Sequence, residues 1–156
     1  MPRAAVITVS DRVSRGEAED SSGPAVAELL RLMGLDVEPV QVVPDEPDDL
    51  EAAIRGAAAR APLVVTSGGT GISPRDHTPE VTAGLADYLV PGMAEEMRRA
   101  GREKTPMAVM SRGVVAVVGR SLVINLPGSR AGATESLEAL AEVIPHALDQ
   151  LAGGGH

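Results

Sequence analysis

Short apolar runs and longer segments with helical apolar spacing alternate along this chain. The runs 4–9 and 63–66 are continuous and rich in branched side chains, which is typical of strands buried on both faces of a sheet. The segment 37–43 alternates apolar with polar residues and predicts another strand. Two later runs, 114–118 and 122–126, are separated by three residues and predict a hairpin.

The segments between the first strands are marked as helices by apolar residues three and four positions apart and by proline in the first turn. One helix is predicted to begin near Pro24 and to end at Gly34, and a second begins at Pro47 and ends near Arg60. The run Thr78-Pro79-Glu80 places a capping residue, a proline and an acid in the order that opens a third helix.

Two more helices are predicted in the second half of the chain. A charged helix follows Pro91 and contains 95–102, and a terminal helix runs over 137–151, where Pro145 should kink it or end its first half. The alternation of strands and helices predicts an α/β fold with helices on both faces of the sheet. We therefore expect a three-layer α/β/α sandwich, mostly parallel with one antiparallel strand, in a single domain that spans residues 1–156.

Composition and charge narrow the possible partners. The 156 residues include 22 acidic and 14 basic side chains, a net charge of −8, with one Tyr and no Trp or Phe. Such a chain lacks the basic surface and the aromatic platform of nucleic-acid binders, so no nucleic-acid partner is expected.

The chain also has no Cys for disulfides or thiolate metal sites. No apolar run is long enough for a membrane span, so we expect no membrane partner and a cytoplasmic location.

Polar and glycine-rich segments follow the predicted strands at the points where those strands end. Because the carboxyl ends of parallel strands share one edge of a sheet, and open α/β sheets bind ligands there, we expect these segments to form one site. They are Ser10-Asp11, Pro44-Asp45-Glu46, Ser67-Gly68-Gly69-Thr70-Gly71 and, at the last strand, Asn125 with Pro127-Gly128-Ser129.

The segment 67–71 is the sharpest of these signals. Three glycines in four residues after a buried strand permit positive φ and let backbone N–H groups approach an anion, which favours phosphate binding over an ordinary glycine-rich turn. The segment is not a Walker loop, since no Lys-Ser/Thr follows, and it is not the dinucleotide fingerprint, since the third glycine is absent. Pro127-Gly128-Ser129 is either a second anion-binding loop or an ordinary turn before the last helix.

Asp45 and Asp76 are candidate metal ligands. A carboxylate beside a phosphate-binding loop repels the ligand unless a cation lies between them, and Mg²⁺ is the usual cation. Each aspartate also has a simpler interpretation. Asp76 is typical of an acid that flanks a helix, and Asp45 is typical of a solvated acidic turn.

Basic side chains supply further candidates. Arg112, with Ser111 before it, is suited to a bidentate clamp on phosphate or carboxylate, although a lone arginine is more often a surface residue. His77 is more typical of an exposed loop residue than of a general base. A further basic cluster is interleaved with glutamates and predicts a solvated helix face. Its members are Arg98, Arg99, Arg102 and Lys104.

Several of these segments together follow the order of a known family. They are Val9-Ser10-Asp11-Arg12, Asp20-Ser21-Ser22-Gly23-Pro24, Pro44-Asp45-Glu46, Thr66 to Gly71, Pro74 to Glu80, Pro91-Gly92-Met93, Ser111-Arg112 and Asn125 to Ser129. In this order they resemble the MoaB/Mog family, which includes the molybdopterin adenylyltransferases and the G domain of gephyrin. The resemblance extends from about Ala4 to Leu151, and the string from Gly68 to Glu80 is its most specific part.

The resemblance implies a homotrimer that activates molybdopterin with Mg²⁺ and ATP. The terminal phosphate of the pterin would attack the α-phosphate of ATP and give adenylylated molybdopterin and pyrophosphate. Asp45 and Asp76 match the family's paired catalytic aspartates and would hold the metal, and Gly68–Gly71 would cradle phosphate groups. The other residues assigned to the pterin and the nucleotide, without division between the two, are Ser10, Asp11, Ser67, Arg75, Ser111, Arg112, Asn125, Pro127, Gly128 and Ser129.

Two alternatives accompany this interpretation. One is a molybdopterin-binding carrier or scaffold that has the family fold and no turnover. The other is a nucleotide hydrolase related to competence-damage-type domains. The sequence shows no counterpart of a molybdenum-inserting domain, so the resemblance also implies transfer of the product to a separate inserting protein.

Overall fold

In the structure, a computed structural model that describes residues 1–154, a seven-stranded sheet forms the middle layer. The strands are β1 (Arg3–Val9), β2 (Asp36–Val37), β3 (Gln41–Val43), β4 (Leu63–Ser67), β5 (Tyr88–Leu89), β6 (Val115–Val118) and β7 (Ser121–Leu126). They lie in the order β2-β1-β4-β7-β6-β5, and β3 pairs with β1 beyond the end of β2.

Six of these strands run in one direction. β1 is parallel to β2, β3 and β4, and β4 is parallel to β7. Only β6 is reversed among the described strands, because it pairs antiparallel with β7 on one side and with β5 on the other. The prediction of a mostly parallel sheet with one antiparallel strand is therefore confirmed.

Helices cover both faces of the sheet, as the sequence predicts. They are α1 (Asp11–Ser14), α2 (Ser22–Leu32), α3 (Pro47–Arg60), α4 (Thr78–Leu85), α5 (Pro91–Arg102), α6 (Arg130–Ala139) and α7 (Val143–Leu151), with a 3₁₀ helix at Pro106–Met110. One face is covered by α2, α5, α6 and α7, and the other by α3 and α4. None of the helices within residues 1–154 combines the length and the apolar character needed to cross a bilayer.

The core consists of two aliphatic layers, one on each side of the sheet. Successive strand residues point to opposite faces. Val6, Val65 and Ile124 accordingly pack under α2, α6 and α7, while Ile7 and Val64 pack against α3. These strand residues are at most 1% exposed. Burial on both faces explains why the central strands are continuous apolar runs.

The predicted strand over 37–43 is interrupted, which corrects the sequence analysis. Val37 pairs with Ala4, but Gln41 pairs with Ile7, so the register shifts by one residue between β2 and β3. Pro39 lies in the interruption, and proline cannot donate a ladder hydrogen bond. The segment is thus a bulged edge of the sheet.

The terminal helix is also divided. It breaks between α6 and α7, at residues 140–142, which lies before Pro145. Pro145 is the third residue of α7, where a backbone N–H has no helical partner and proline is tolerated. Pro145 is therefore compatible with the start of a second helix. The short elements α1 and β5 and the 3₁₀ helix were not predicted.

Candidate functional site

The polar segments that follow the strands meet at one edge of the sheet. The N–H of Ser10 donates to Val43 O at 2.9 Å, and Ser67 Oγ donates to Pro127 O at 2.8 Å. The N–H of Arg112 donates to Thr70 O at 2.8 Å. This last contact brings the segment before β6 to the same edge, because β6 runs in the opposite direction and begins where the parallel strands end.

The glycine-rich loop after β4 needs glycine at its first two positions. Gly68 has a φ of +109°, and a Cβ placed there would lie 2.2 Å from Val9 O. Gly69 has a φ of +69°, and its Cβ would lie 2.4 Å from Thr78 Oγ1. That hydroxyl donates to Gly68 O at 2.9 Å, so the start of α4 is fastened directly to the loop.

The same loop leaves donors available for a ligand. The N–H groups of Gly69, Thr70 and Gly71 donate to no acceptor among residues 1–154. Successive backbone N–H groups in a turn can form an anion-binding concavity. The N-terminus of α6 lies across the cavity, where Ser129 Oγ accepts from the N–H of Gly132 at 3.0 Å.

Two carboxylates approach this loop. Asp45 Oδ1 lies 3.3 Å from the Cβ position of Gly69, and Asp76 Oδ2 lies 2.8 Å from that of Gly71. Asp76 Oδ2 also accepts the N–H of Ser73 at 3.1 Å, which holds the carboxylate against its own turn. The two predicted metal ligands are therefore close to the donors that suit phosphate.

Asp45 lies in surroundings that disfavour its negative charge. Its pKa is raised above the ordinary carboxyl value, chiefly by burial and then by repulsion from Asp11 and Asp76. The pKa of Asp11 is lowered instead, because Arg75 donates hydrogen bonds to its carboxylate. Within residues 1–154 there is no group of three or more His, Cys, Asp or Glu side chains that could hold a metal on its own. Two neighbouring carboxylates are compatible with Mg²⁺, which keeps several waters and takes only one or two protein carboxylates.

A cavity of about 540 Å³ lies beside the loop. Its lining includes nine of the predicted site residues: Gly69, Thr70, Gly71, Asp76, Ser111, Asn125, Pro127, Gly128 and Ser129. The remaining seven do not line it. They are Ser10, Asp11, Asp45, Ser67, Gly68, Arg75 and Arg112.

The side chain of Arg112 supports the loop from behind. Its Nε donates to Gly71 O at 2.8 Å, and its two terminal nitrogens donate to Asp76 O at 3.1 Å and to Glu80 Oε2 at 2.5 Å. The guanidinium is thus committed to the loop that carries Asp76. This placement differs from the predicted phosphate clamp.

Two other predicted ligand-binding side chains are also committed to the framework. Asn125 is 1% exposed, accepts the N–H of Val114 and donates to the hydroxyls of Thr66 and Thr82. It therefore joins β7, β4, α4 and the start of β6. Ser67 Oγ contacts Ser22 Oγ at 3.0 Å besides donating to Pro127 O, and its side chain is buried.

Sequence reasoning missed Arg98, which it placed on a solvated helix face. In the structure Arg98 is half-buried, lines the cavity and donates to Gly113 O at 3.0 Å and to Ser111 O at 3.4 Å. The small and apolar residues Ala94, Met97 and Gly101 recur at helical spacing around it and were the available signal. The neighbouring Arg99 does lie on the surface, where it pairs with Glu96, three residues before it, and with Glu103, four residues after it.

The 3₁₀ helix supplies the outer wall of the cavity. Its residues Met107, Ala108 and Met110 face α5 across the opening, and Thr105 Oγ1 caps it by accepting the N–H of Met107 at 3.2 Å. Met107 is 62% exposed. The wall therefore consists of flexible, apolar side chains, since methionine adapts its shape to what it contacts.

These features define an α/β protein with a ligand-sized cavity and a glycine-rich loop at the carboxyl ends of its parallel strands. The model of a family described as a probable molybdopterin binding domain matches residues 5–146. The chain belongs to this family, which confirms the resemblance found in its sequence.

Individual relatives agree with this assignment. The chain is 42% identical over 154 residues to the molybdenum cofactor biosynthesis bifunctional protein of Synechococcus elongatus, covering 98% of this chain and 48% of that protein. It is 38% identical over 153 residues to a molybdopterin adenylyltransferase of Helicobacter pylori, covering 95% of this chain and 86% of the relative. The crystal structure of the molybdopterin biosynthesis enzyme MoaB from Thermus thermophilus is similar with a TM-score of 0.92 and 49% identity, over 98% of both chains. The chain thus spans about half the length of the bifunctional relatives.

The close approach at Gly68 predicts that Gly68→Ala unfolds or strongly destabilises the protein. The new methyl group would overlap Val9 O at a φ that L residues rarely adopt, so we expect a loss of more than about 2 kcal/mol in the free energy of unfolding, measured by urea denaturation. Gly119→Ala is the matched control, because Gly119 also has a positive φ but has open space around its Cβ position. It should cost only about 1–2 kcal/mol. Equal losses in the two variants would contradict the steric argument.

The raised pKa of Asp45 predicts that Asp45→Asn stabilises the metal-free protein at neutral pH. A carboxyl group whose folded-state pKa lies above its unfolded value destabilises the folded state once it is ionised, so the gain should be present at pH 7 and vanish as pH falls below about 4. Thermal melts in EDTA across this range measure it. Asp48→Asn, at an exposed position in the first turn of α3, should give no gain.

Proposed function

We propose that this protein acts in molybdenum cofactor biosynthesis as a molybdopterin adenylyltransferase that uses ATP and Mg²⁺. The observation that carries the proposal is that Asp45 and Asp76 both approach the glycine loop, which lies beside the cavity and has three N–H groups without an acceptor among residues 1–154. The name of the similar Helicobacter pylori protein supports the same activity.

The proposed reaction needs positioning and charge neutralisation more than covalent help from the protein. The terminal phosphate of molybdopterin is the nucleophile; its oxygen forms a bond to the α-phosphorus of ATP while the bond to the β-phosphate breaks and pyrophosphate leaves. The N–H groups of Gly69, Thr70 and Gly71 would bind the phosphate oxygens. Mg²⁺ bound by Asp45 and Asp76 would supply neutralisation of the charge on the polyphosphate.

The cavity suits a flat heterocycle attached to phosphate. Its volume of about 540 Å³ lies in the ordinary range of small-molecule sites. Because the chain has no Trp or Phe, the ring must pack on aliphatic and thioether side chains such as Met97 and Met107. Sulfur packs favourably against aromatic rings. The phosphate end of the ligand would then point toward Asp76 and the loop.

Arg98 is proposed to bind the ligand. This role replaces the one that the sequence analysis gave to Arg75 and Arg112. The guanidinium groups of Arg75 and Arg112 donate hydrogen bonds to protein acceptors. Among residues 1–154, Arg98 is the cationic side chain that lines the cavity. Among residues 1–154, only its Nη1 donates to a protein acceptor. The other donors remain available to a phosphate or a ring acceptor.

The resemblance to the family supports two further proposals, namely assembly as a homotrimer and delivery of the adenylylated product to a separate molybdenum-inserting protein. A cytoplasmic location would suit both. The bifunctional relatives are about twice as long as this chain, so any partner activity is proposed for another polypeptide or another segment.

The direct test of the activity is pyrophosphate release from molybdopterin, ATP and Mg²⁺. We expect the wild type to turn over, and Asp45→Ala and Asp76→Ala to lose Mg²⁺-dependent turnover while circular dichroism shows an intact fold. The exposed Asp48→Ala is the matched control. Tight molybdopterin binding without pyrophosphate release would favour the carrier alternative, and ATP breakdown without pterin would favour the hydrolase. Turnover that survives both aspartate variants would refute the metal role.

The role of Arg98 predicts that Arg98→Ala raises the KM for molybdopterin or ATP by about tenfold or more, since a charge-assisted hydrogen bond is worth roughly 1.5–3 kcal/mol. Steady-state kinetics with each substrate varied in turn measure this change. Arg102→Ala removes an exposed arginine one turn further along α5 and should leave both KM values unchanged. Unchanged values in Arg98→Ala would show that Arg98 contacts neither substrate.

A further inference from the structure

Asp11 and Asp45 follow the ends of β1 and β3, and the backbone N–H of each donates to the carboxylate of the other. The N–H of Asp11 donates to Asp45 Oδ2 at 2.9 Å, and the N–H of Asp45 donates to Asp11 Oδ1 at 3.0 Å. Each aspartate thus fixes the backbone of the other. The pair determines where the Asp45 carboxylate stands relative to the sheet, and it leaves Asp45 Oδ1 directed at the glycine loop.

Arg75 extends this pair to the loop that carries Asp76. Its Nε donates to Asp11 Oδ2 at 2.7 Å, and one terminal nitrogen donates to Asp11 Oδ1 at 3.1 Å, which makes a bidentate fork. The same nitrogen donates to Asp45 O at 3.2 Å and to Glu46 Oε1 at 2.8 Å. Since Arg75 and Asp76 are adjacent in the chain, these bonds fasten the Asp76 segment to the strand end that carries Asp45.

The contacts of Asp11 argue against a role as a metal ligand. Its two oxygens receive three hydrogen bonds, from the N–H of Asp45 and from Arg75, and its side chain is only 19% exposed. A carboxylate used in this way has little capacity left for a cation. Arg75 has likewise directed two of its three nitrogens at protein acceptors and away from the cavity.

We propose that Asp11 and Arg75 form a clasp that positions Asp45 and Asp76 for a shared divalent cation, and that neither clasp residue binds substrate. This inference rests on the proposed function for the identity of the cation. It revises the assignment of Asp11 and Arg75 to pterin or nucleotide binding. In relation to the metal, the clasp acts through the two ligands, as residues that orient metal ligands generally do.

The test separates metal affinity from anion affinity in the full chain. Mn²⁺ is titrated by electron paramagnetic resonance into protein saturated with α,β-methylene ATP, and ATP binding is measured separately in EDTA. We expect Arg75→Ala and Asp11→Asn each to weaken Mn²⁺ binding by about 10–100-fold, the range found when residues behind metal ligands are replaced. ATP affinity in EDTA should stay within about twofold of the wild type.

Further variants distinguish a positioning role from a general loss of structure. Arg75→Lys keeps the charge and should recover part of the Mn²⁺ affinity, and the double variant Asp11→Asn/Arg75→Ala should be no weaker than either single variant, because both break one clasp. Arg55→Ala is the matched control: it removes another exposed arginine–carboxylate pair, with Glu51 at 3.2 Å, and should change neither titration. In turnover assays, added Mg²⁺ should restore kcat in the clasp variants.

Two results would overturn the clasp. Weaker ATP binding in EDTA with unchanged Mn²⁺ affinity in Arg75→Ala would make Arg75 an anion-binding residue. Loss of Mn²⁺ binding in Asp11→Asn alone, with Arg75→Ala like the wild type, would make Asp11 a metal ligand. If Arg75→Ala and Asp11→Asn both weaken Mn²⁺ binding as expected while the wild type releases no pyrophosphate, the adenylyltransferase would be refuted and the clasp supported.

Discussion

The close approach of two strand ends at Gly68 is the constraint on which the site depends. A side chain there would lie 2.2 Å from Val9 O, so β1 and β4 can leave the sheet this close together only because the residue is glycine. The N–H of Gly68 donates to Leu126 O, which ties β7 to the same point. The glycine loop therefore starts from a fixed position and carries its free N–H groups over the ends of three strands. The position of the loop in turn determines where Asp45 and Asp76 approach it, where Arg112 contacts it and where the cavity lies.

Much of the fold follows from the sequence because the central strands are buried on both faces. Continuous apolar runs such as 4–9 and 63–66 are short and rich in branched side chains, which is typical of strands in a covered sheet, and the helices between them are marked by their prolines. The edge strands were harder to predict. A strand with a single neighbour depends on the register of its pairing as well as on its hydrophobic residues. The bulge at Pro39 and the two residues of β5 are both edge features. The helix break at residues 140–142 contains no Gly or Pro, so no local signal marked it.

The candidate site was predictable in its location and less so in its roles. Strand ends identified Asp45, Asp76 and the glycine loop, because topology alone brings them to one edge. The surroundings of the arginines could not be predicted for a physical reason: spacing shows that a guanidinium is near the site but not which protein acceptors take its donors. Arg75 and Arg112 are occupied by carboxylates and carbonyls of their own fold, while Arg98 reaches the cavity from a helix dominated by charge. The acidic net charge is compatible with the proposed phosphorylated ligands, since the N–H groups of the glycine loop and Arg98 would bind the anion locally.

The absence of aromatic side chains from the cavity has an optical consequence. The chain has no Trp, and its one Tyr, Tyr88, lies on the edge strand β5 outside the cavity lining. The protein therefore contributes almost no near-ultraviolet absorption or emission of its own at the site. A pterin ring seated between Met97 and Met107 would be observed against a clear background. Its own spectrum would then report the polarity of the cavity without interference from protein side chains.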